Sequence, residues 1–126
     1  MAKNPIFEVE VDTTRNLLRT HYRGHVTEAG LKEGIDRFQG LLKELKPGFT
    51  ILADMSGIEV MDLESAPQLA RIMDLCRAAK VGSVVRVIPD PDKDIGVNIL
   101  SIVHYRGKVP IATFDSMAAA AKSLKL

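Results

Sequence analysis

The sequence has few of the features that would assign it to a specialised class of protein. A single cysteine, Cys76, excludes an internal disulfide framework. The 17 Lys and Arg residues nearly balance the 16 Asp and Glu residues, so that the formal net charge of +1 gives no overall field to attract nucleic acid or an acidic membrane. No apolar run approaches the roughly 18 residues of a membrane span. The composition therefore predicts neither a nucleic-acid-binding protein nor a membrane-spanning one.

The sequence also lacks the motifs of the common enzyme classes. It has no phosphate-binding loop, no nucleophile elbow and no zinc-protease motif. His21 and His25 are four residues apart, but they flank a predicted strand end and have no accompanying cluster of cysteines or carboxylates. Cys76 falls on an apolar helix face, where a thiol behaves as a small hydrophobic residue. We therefore expect no catalytic residue, no cofactor and no metal.

Length and composition describe one globular domain. With 126 residues, 46% of them hydrophobic, the chain should bury about two-thirds of the surface of its unfolded form. There is no internal repeat, linker or low-complexity segment, so residues 1–126 are predicted to form a single domain. The first residues, Met-Ala-Lys-Asn-Pro, lack the apolar stretch of a signal peptide, and the expected location is the cytoplasm.

Two alternating patterns begin the chain. Residues 6–12 place Phe7, Val9 and Val11 opposite three acidic side chains, which is the period of a strand with one wet face. Residues 17–23 alternate in the same way after a polar turn. The two strands are predicted to form an antiparallel hairpin whose outer face sets acids against bases.

The rest of the chain alternates helical and strand patterns. Thr27 can cap a first helix, and the apolar strand at residues 49–54 should be the middle of the sheet. Ser65 can cap a second helix, with Gln68 closing a capping box. Later patterns predict a strand at residues 84–88, a helix over residues 95–103, a strand at residues 109–113 and a last helix from residue 115. This order predicts an α/β fold with a mixed, mainly parallel sheet, an N-terminal antiparallel hairpin and four helices.

Residues 51–65, Ile-Leu-Ala-Asp-Met-Ser-Gly-Ile-Glu-Val-Met-Asp-Leu-Glu-Ser, carry the most informative motif. An apolar strand ends in Asp-x-Ser, an apolar loop follows, and Asp62 stands just before a capped helix. This segment resembles the STAS domain of anti-sigma-factor antagonists, particularly its SpoIIAA-like branch. Residues 111–120 resemble the ending of that branch, where a strand runs into a Phe-Asp-Ser helix start and an alanine-rich helix. The order of elements matches across nearly the whole chain.

The resemblance implies a non-enzymatic domain with a phosphorylatable Ser or Thr at the start of the second helix. Protein partners distinguish the phosphorylated form of this residue from the unphosphorylated form. A helix N-terminus suits this role, because its free N–H groups and its dipole stabilise a phosphate. The matching turn is residues 62–65, Asp-Leu-Glu-Ser. Glu64 holds the position of the modified hydroxyl and Ser65 holds that of a glycine, so the chain departs from the family pattern here.

Three interpretations of Asp62, Glu64 and Ser65 stay open. In the first, Ser65 caps the helix and Glu64 lies beside the positive end of its dipole. In the second, Glu64 is a permanent substitute for the phosphorylated residue, and the protein binds its partner constitutively. In the third, Ser65 itself is modified. Each interpretation places the turn at the start of the second helix.

The loop after the buried strand is the predicted contact for a protein partner, an anti-sigma factor or a similar regulator. It is unusually apolar for an exposed connection, although the same side chains could fold back onto the core. The predicted partner surface contains Ser56, Ile58, Val60, Met61 and Leu63.

Other functions fit the same sequence. The main alternative is a carrier or sensor of a lipid or another small apolar ligand, held between the helices and the sheet. Its lining would include Met55, Met61, Met73, Ile95, Ile99 and Ile102. A weaker option is an enzyme that uses Asp54, Asp62 or Glu64, although no histidine or lysine lies beside these acids in the sequence. The exposed hairpin edge and the apolar loop also suggest a homodimer.

Overall fold

A computed structural model of the chain describes residues 6–88 and 109–126. The strands are β1 (Phe7–Asp12), β2 (Leu17–Val26), β3 (Thr50–Met61), β4 (Ser83–Val87) and β5 (Ile111–Phe114). The helices are α1 (Glu28–Leu42), α2 (Ala66–Ala78) and α3 (Met117–Ser123), and a single 3-10 turn, Leu63–Ser65, precedes α2. The predicted helix over residues 95–103 lies outside the described residues.

The five strands form one mixed sheet in the order β1-β2-β3-β4-β5. β1 is antiparallel to β2, and the β2–β3, β3–β4 and β4–β5 pairs are parallel. The α/β fold with an N-terminal antiparallel hairpin is confirmed, and β3 is the middle strand, as predicted. On the outer face of the hairpin, Glu8 and Arg23 form the expected acid–base contact, with Oε2 and Nη2 3.0 Å apart.

Most of the core lies between the sheet and the pair α1 and α2. The apolar stripe of α1 is buried at Leu31, Ile35, Phe38 and Leu42, and α2 buries Leu69, Ile72, Met73 and Cys76 against the same face. The opposite face of the sheet has a smaller cluster, in which Ala120 of α3 packs over Leu52, Val85 and Val87. Cys76 is fully buried, as its place on the apolar stripe predicted.

Of the two predicted helix caps, the one at Thr27 is confirmed and the one at Ser65 is wrong, and the structure adds a further cap at Ser116. The Thr27 hydroxyl accepts a hydrogen bond from the Gly30 N–H at 3.1 Å, and the Ser116 hydroxyl accepts one from the Ala119 N–H at 3.1 Å. Ser65 makes no such bond to α2. Its backbone is already helical, because the 3-10 turn leads the chain into α2 before Ser65, and a residue in that conformation does not present its hydroxyl to the first turn.

Glycines bring α1 close to β1. A Cβ atom at Gly34 would lie 2.5 Å from Cδ2 of Phe7, and a Cβ atom at Gly30 would lie 2.1 Å from Cδ1 of Ile6. Phe7 occupies the space that Gly34 leaves and stacks on Tyr22, with ring centroids 5.0 Å apart. Packing on the first strand therefore explains Gly30 and Gly34, which would otherwise only weaken the helix.

The sheet extends further at its centre than the sequence pattern indicates. β2 was expected to end at residue 23 but continues to Val26, and β3 was expected to end at residue 54 but continues to Met61. The segment predicted to be an exposed loop is therefore the outer half of the middle strand. The physical reason is the pairing of the two extensions, in which Val26 lies opposite Met61.

Candidate partner-binding surface

The outer half of β3 is irregular where it pairs with β2. Between His21 and Arg23 of β2, and again between Gly24 and His25, β3 contains one extra residue. Such bulges bend a strand, increase its twist and redirect its side chains. The strict alternation of inward and outward residues is consequently lost in this half of β3, and several side chains there face solvent.

Backbone hydrogen bonds fix the turn that follows β3. The Asp62 N–H donates to the carbonyl of Val26 at 3.0 Å, which continues the β2–β3 ladder, and the Ser65 N–H donates to the carbonyl of Asp62 at 3.0 Å. The Ser65 hydroxyl also donates to the Asp62 carbonyl. The 3-10 turn therefore begins at a fixed point at the carboxyl end of the middle strand, β3, and leads directly into α2.

The turn separates Glu64 from Ser65. The Ser65 side chain is fully buried and bonded to the backbone, whereas Glu64 is exposed. Leu63, the first residue of the turn, is 89% exposed, which makes it the most exposed large hydrophobic residue of the described chain. The turn therefore presents a leucine and a carboxylate to solvent and hides its only hydroxyl.

The residues of the predicted partner surface divide into two groups. Ser56, Val60 and Leu63 are exposed, and Val60 is 53% accessible. Ile58 and Met61 are half-buried and pack against the main core. The sequence left open whether these side chains face outward or fold back, and the structure divides them between the two arrangements. They lie on a strand and a turn rather than on the predicted loop.

Two histidine–carboxylate pairs lie along the β2–β3 ladder. Nε2 of His25 is 2.6 Å from Oδ1 of Asp62, at the start of the turn, and Nδ1 of His21 is 3.4 Å from Oδ2 of Asp54. Sequence reasoning missed both pairs because each joins residues that are far apart in the chain and meet only where β2 lies beside β3 and the turn after it. The signal that could have found them is the register of a parallel β2–β3 pair, which places His21 opposite Asp54.

Solved structures with the same architecture cover nearly all of the chain. The unphosphorylated anti-sigma factor antagonist SpoIIAA superposes with a TM-score of 0.63 at 14% identity, over 93% of this chain and 94% of that one. The chain has the SpoIIAA-like fold.

Two further SpoIIAA-like structures are similar to this chain. An uncharacterized protein of the DUF3478 family from Shewanella loihica has a TM-score of 0.69 at 13% identity and covers 98% of both chains. An anti-sigma factor antagonist from Mycobacterium paratuberculosis has a TM-score of 0.56 at 13% identity, over 95% of this chain and 93% of that one. No protein-family model and no curated protein matches the sequence.

In this SpoIIAA-like chain, Ser56, Asp54 and His21 are not arranged as in a site with an activated serine nucleophile. The Ser56 hydroxyl donates to Oδ1 of Asp54 at 2.5 Å, and His21 approaches the other oxygen of the same carboxylate. Asp54 thus stands between serine and histidine, whereas an activated serine contacts the histidine that takes its proton. Within residues 6–88 and 109–126, no three His, Cys, Asp or Glu residues are grouped closely enough to hold a metal ion.

A small cavity lies between the sheet and the two helices α1 and α2. Its volume is about 30 Å³, and Met55 and Met73 are among its lining residues. Engineered cavities that bind benzene measure about 150 Å³. Met61 lies outside this lining, and the other predicted lining residues, Ile95, Ile99 and Ile102, fall outside the described part of the chain. The apolar-ligand alternative therefore stays a prediction, which native mass spectrometry of gently purified protein can test.

The described helices are short. None of those within the described ranges combines the length and the apolar composition that crossing a bilayer requires.

Proposed function

We propose that this SpoIIAA-like protein is a regulatory module that binds a protein partner through the outer half of β3 and the turn before α2. The observation that carries the proposal is the 89% exposure of Leu63 beside the exposed carboxylate of Glu64. The two neighbours named as anti-sigma factor antagonists support a partner of the anti-sigma-factor class. Catalysis is not part of the proposal.

Leu63 and Val60 provide the binding energy in this proposal. Transferring a leucine side chain from water to an apolar contact is favourable by roughly 1.5–3 kcal/mol. Both residues lie on a backbone already fixed by the bonds of Asp62 to Val26 and of Ser65 to Asp62. Little conformational entropy would therefore be lost when a partner covers them.

Glu64 provides the charge in this proposal. It occupies the position where the resemblance places a phosphorylated hydroxyl, and its carboxylate is exposed at the entry to α2. The alternative modification site, Ser65, is fully buried and donates its hydroxyl hydrogen bond to the backbone. These two observations favour Glu64 as a permanent negative charge over phosphorylation of Ser65.

Site-specific photocrosslinking in the native host tests the surface. A photoreactive residue placed at Leu63 should give a protein adduct of discrete mass. The matched control places the same residue at Ala118, which is exposed on α3 and distant in the fold. A discrete adduct from position 63 that is absent from position 118 supports the proposal, and adducts of equal yield from both positions contradict it.

Calorimetry with the crosslinked partner, once purified, tests the two residues separately. Leu63→Ser should weaken binding by about tenfold or more, because the leucine would be a central contact. If the partner recognises the negative charge of Glu64, Glu64→Ser and Glu64→Gln should both weaken binding. The exposed control Glu44→Gln should not. Equal affinities of the wild-type protein and Glu64→Ser would eliminate the permanent-charge interpretation without affecting the role of Leu63.

Intact-mass analysis of protein from the native host tests the Ser65 alternative. Phosphorylation would add about 80 Da. We expect no such increment on Ser65, because phosphorylation would have to break its bond to Asp62 and expose a fully buried side chain. A phosphopeptide containing phosphorylated Ser65 would overturn this part of the proposal.

A further inference from the structure

The groove between β1 and α1 is bounded by an edge of the sheet. β1 stands first in the strand order, so within the described residues no strand pairs with its outer side. The groove has a volume of about 440 Å³ and is lined by residues 7–10 of β1 and by one face of α1. Gly30 and Gly34 belong to that face, and the side chains of Ile6 and Phe7 pack against them. It shares no residue with the predicted partner surface.

The hydrogen-bond register identifies the free backbone groups of this edge. The Arg23 N–H donates to the carbonyl of Ile6, so Ile6 and Arg23 are a hydrogen-bonded pair of the antiparallel ladder. Hydrogen-bonded and non-hydrogen-bonded pairs alternate along such a ladder. Phe7 and Val9 therefore direct their N–H and C=O groups away from β2 and into the groove. The spacing of these groups is that of a strand ready to accept another strand.

The side chains around this edge are mainly acidic. Glu8, Glu10 and Glu33 line the groove with a single cation, Arg37. Glu8 is paired with Arg23 of β2, whereas Glu10 and Glu33 have no ion-pair partner among the described residues. The groove thus offers backbone hydrogen bonds together with more carboxylates than cations among its lining residues, which complements a basic segment.

The same charges disfavour a second copy of this chain as the occupant. If two β1 strands paired antiparallel about Val9, Glu8 of one copy would lie opposite Glu10 of the other. Like charges directly opposite each other destabilise a strand pair. A segment that places Lys or Arg beside Glu10 would gain attraction where a second copy meets repulsion.

We propose that this groove binds an extended basic segment of a protein partner, which adds to β1 as a sixth strand of the sheet. Basic side chains on one face of the added strand would lie near Glu8 and Glu10, and small or β-branched residues on its other face would lie beside the exposed face of α1. This site is independent of the proposed function, because the Leu63 turn can be intact or absent without changing it.

Two fluorescent peptides test the proposal with the full chain. One alternates lysine with valine over seven residues, and the other alternates glutamate with valine. Fluorescence anisotropy should show saturable binding of the lysine peptide and at least about tenfold weaker binding of the glutamate peptide. Equal binding of both peptides, or binding of neither, would overturn the proposal.

Amide hydrogen exchange distinguishes strand addition from a loose electrostatic contact. On saturation with the lysine peptide, the amide protons of Phe7 and Val9 should become protected, because their N–H groups acquire acceptors. Binding without protection at these two positions would contradict the proposal. Protection that appears without peptide as the protein concentration rises would also contradict it, because the occupant would then be a second copy.

A charge-reversed variant completes the test. Glu10→Lys combined with Glu33→Lys should weaken binding of the lysine peptide by about tenfold or more and should strengthen binding of the glutamate peptide. The matched control, Glu44→Lys with Asp115→Lys, changes the net charge equally at exposed positions outside the groove. Equal effects of the two double variants would show that net charge, and not the groove, determines binding.

Discussion

At the scale of single residues, Thr20 is a buried polar group with little compensation, because the nearby Tyr22 hydroxyl interacts with it without the geometry of a full hydrogen bond. Its side chain is 1% exposed, and its hydroxyl oxygen has no hydrogen-bond partner among the described residues. A buried, unsatisfied hydroxyl costs roughly 1–3 kcal/mol. We predict that Thr20→Val increases the free energy of unfolding by about 1 kcal/mol, measured by urea denaturation.

Thr50→Val is the matched control for this prediction. The Thr50 hydroxyl lies 3.0 Å from the hydroxyl oxygen of Ser83 and is hydrogen-bonded to it. Removing it should decrease the free energy of unfolding by about 0.5–1.5 kcal/mol. A loss of stability in both variants would mean that the Thr20 hydroxyl has a partner in solution.

At the scale of elements, close backbone contact holds the starts of β3 and β4 together. The Gly82 N–H donates to the carbonyl of Phe49 at 2.7 Å, and the Gly48 N–H donates to the carbonyl of Lys80 at 2.7 Å. A Cβ atom at Gly82 would lie 2.5 Å from the carbonyl oxygen of Gly48, which is backbone and cannot rotate away. We predict that Gly82→Ala decreases the free energy of unfolding by about 1–3 kcal/mol.

Gly40→Ala, in α1, should have the opposite effect on the free energy of unfolding. Apart from its chain neighbours and the backbone of α1 itself, no atom lies within 4 Å of the position that its Cβ would occupy. Alanine is a better helix former than glycine, so this substitution should increase the free energy of unfolding by about 0.5–1 kcal/mol. Thermal or urea denaturation of the two variants side by side measures the contrast, and a destabilised Gly40→Ala would contradict the open position of this residue.

At the scale of the whole molecule, the buried Tyr22 makes stability depend on alkaline pH. Burial raises the pKa of its hydroxyl well above the ordinary value of 10.0, and the neighbouring Cys76 raises it further. The folded protein therefore retains this proton at a pH where the unfolded chain loses it. The contribution of Tyr22 to the free energy of unfolding is fully present below about pH 10. Above that pH it decreases, by up to about 1.4 kcal/mol per pH unit.

Tyr22→Phe tests this alkaline dependence. The difference in free energy of unfolding between the variant and the wild-type protein should be constant below about pH 9, where the tyrosine is neutral in both states. Above pH 10 the stability of the wild-type protein should fall faster than that of the variant. Urea denaturation at a series of pH values measures both curves, and parallel curves above pH 10 would contradict the buried, neutral state of Tyr22.

Residues that lie close together in the chain carried most of the fold prediction. The alternation of β1, the apolar stripe of α1 and the cap at Thr27 are each set within a few residues, so they could be predicted from the sequence. The boundary of β3 could not, because Ser56 and Gly57 look like a turn when taken alone. They lie in a bulged strand instead, since the far half of β2 is there to pair with it.

The geometry of the candidate site depends on contacts between residues that are far apart in the chain. The sequence by itself determined the order of elements, the central position of β3 and the apolar and acidic composition of the segment before α2. Only the tertiary structure decided that Leu63 and Glu64 face solvent while Ser65 is buried, and that His25 meets Asp62 across 37 residues of chain. The physical reason is that side-chain exposure at this turn follows from the register of two strands, and that register is a property of the folded sheet.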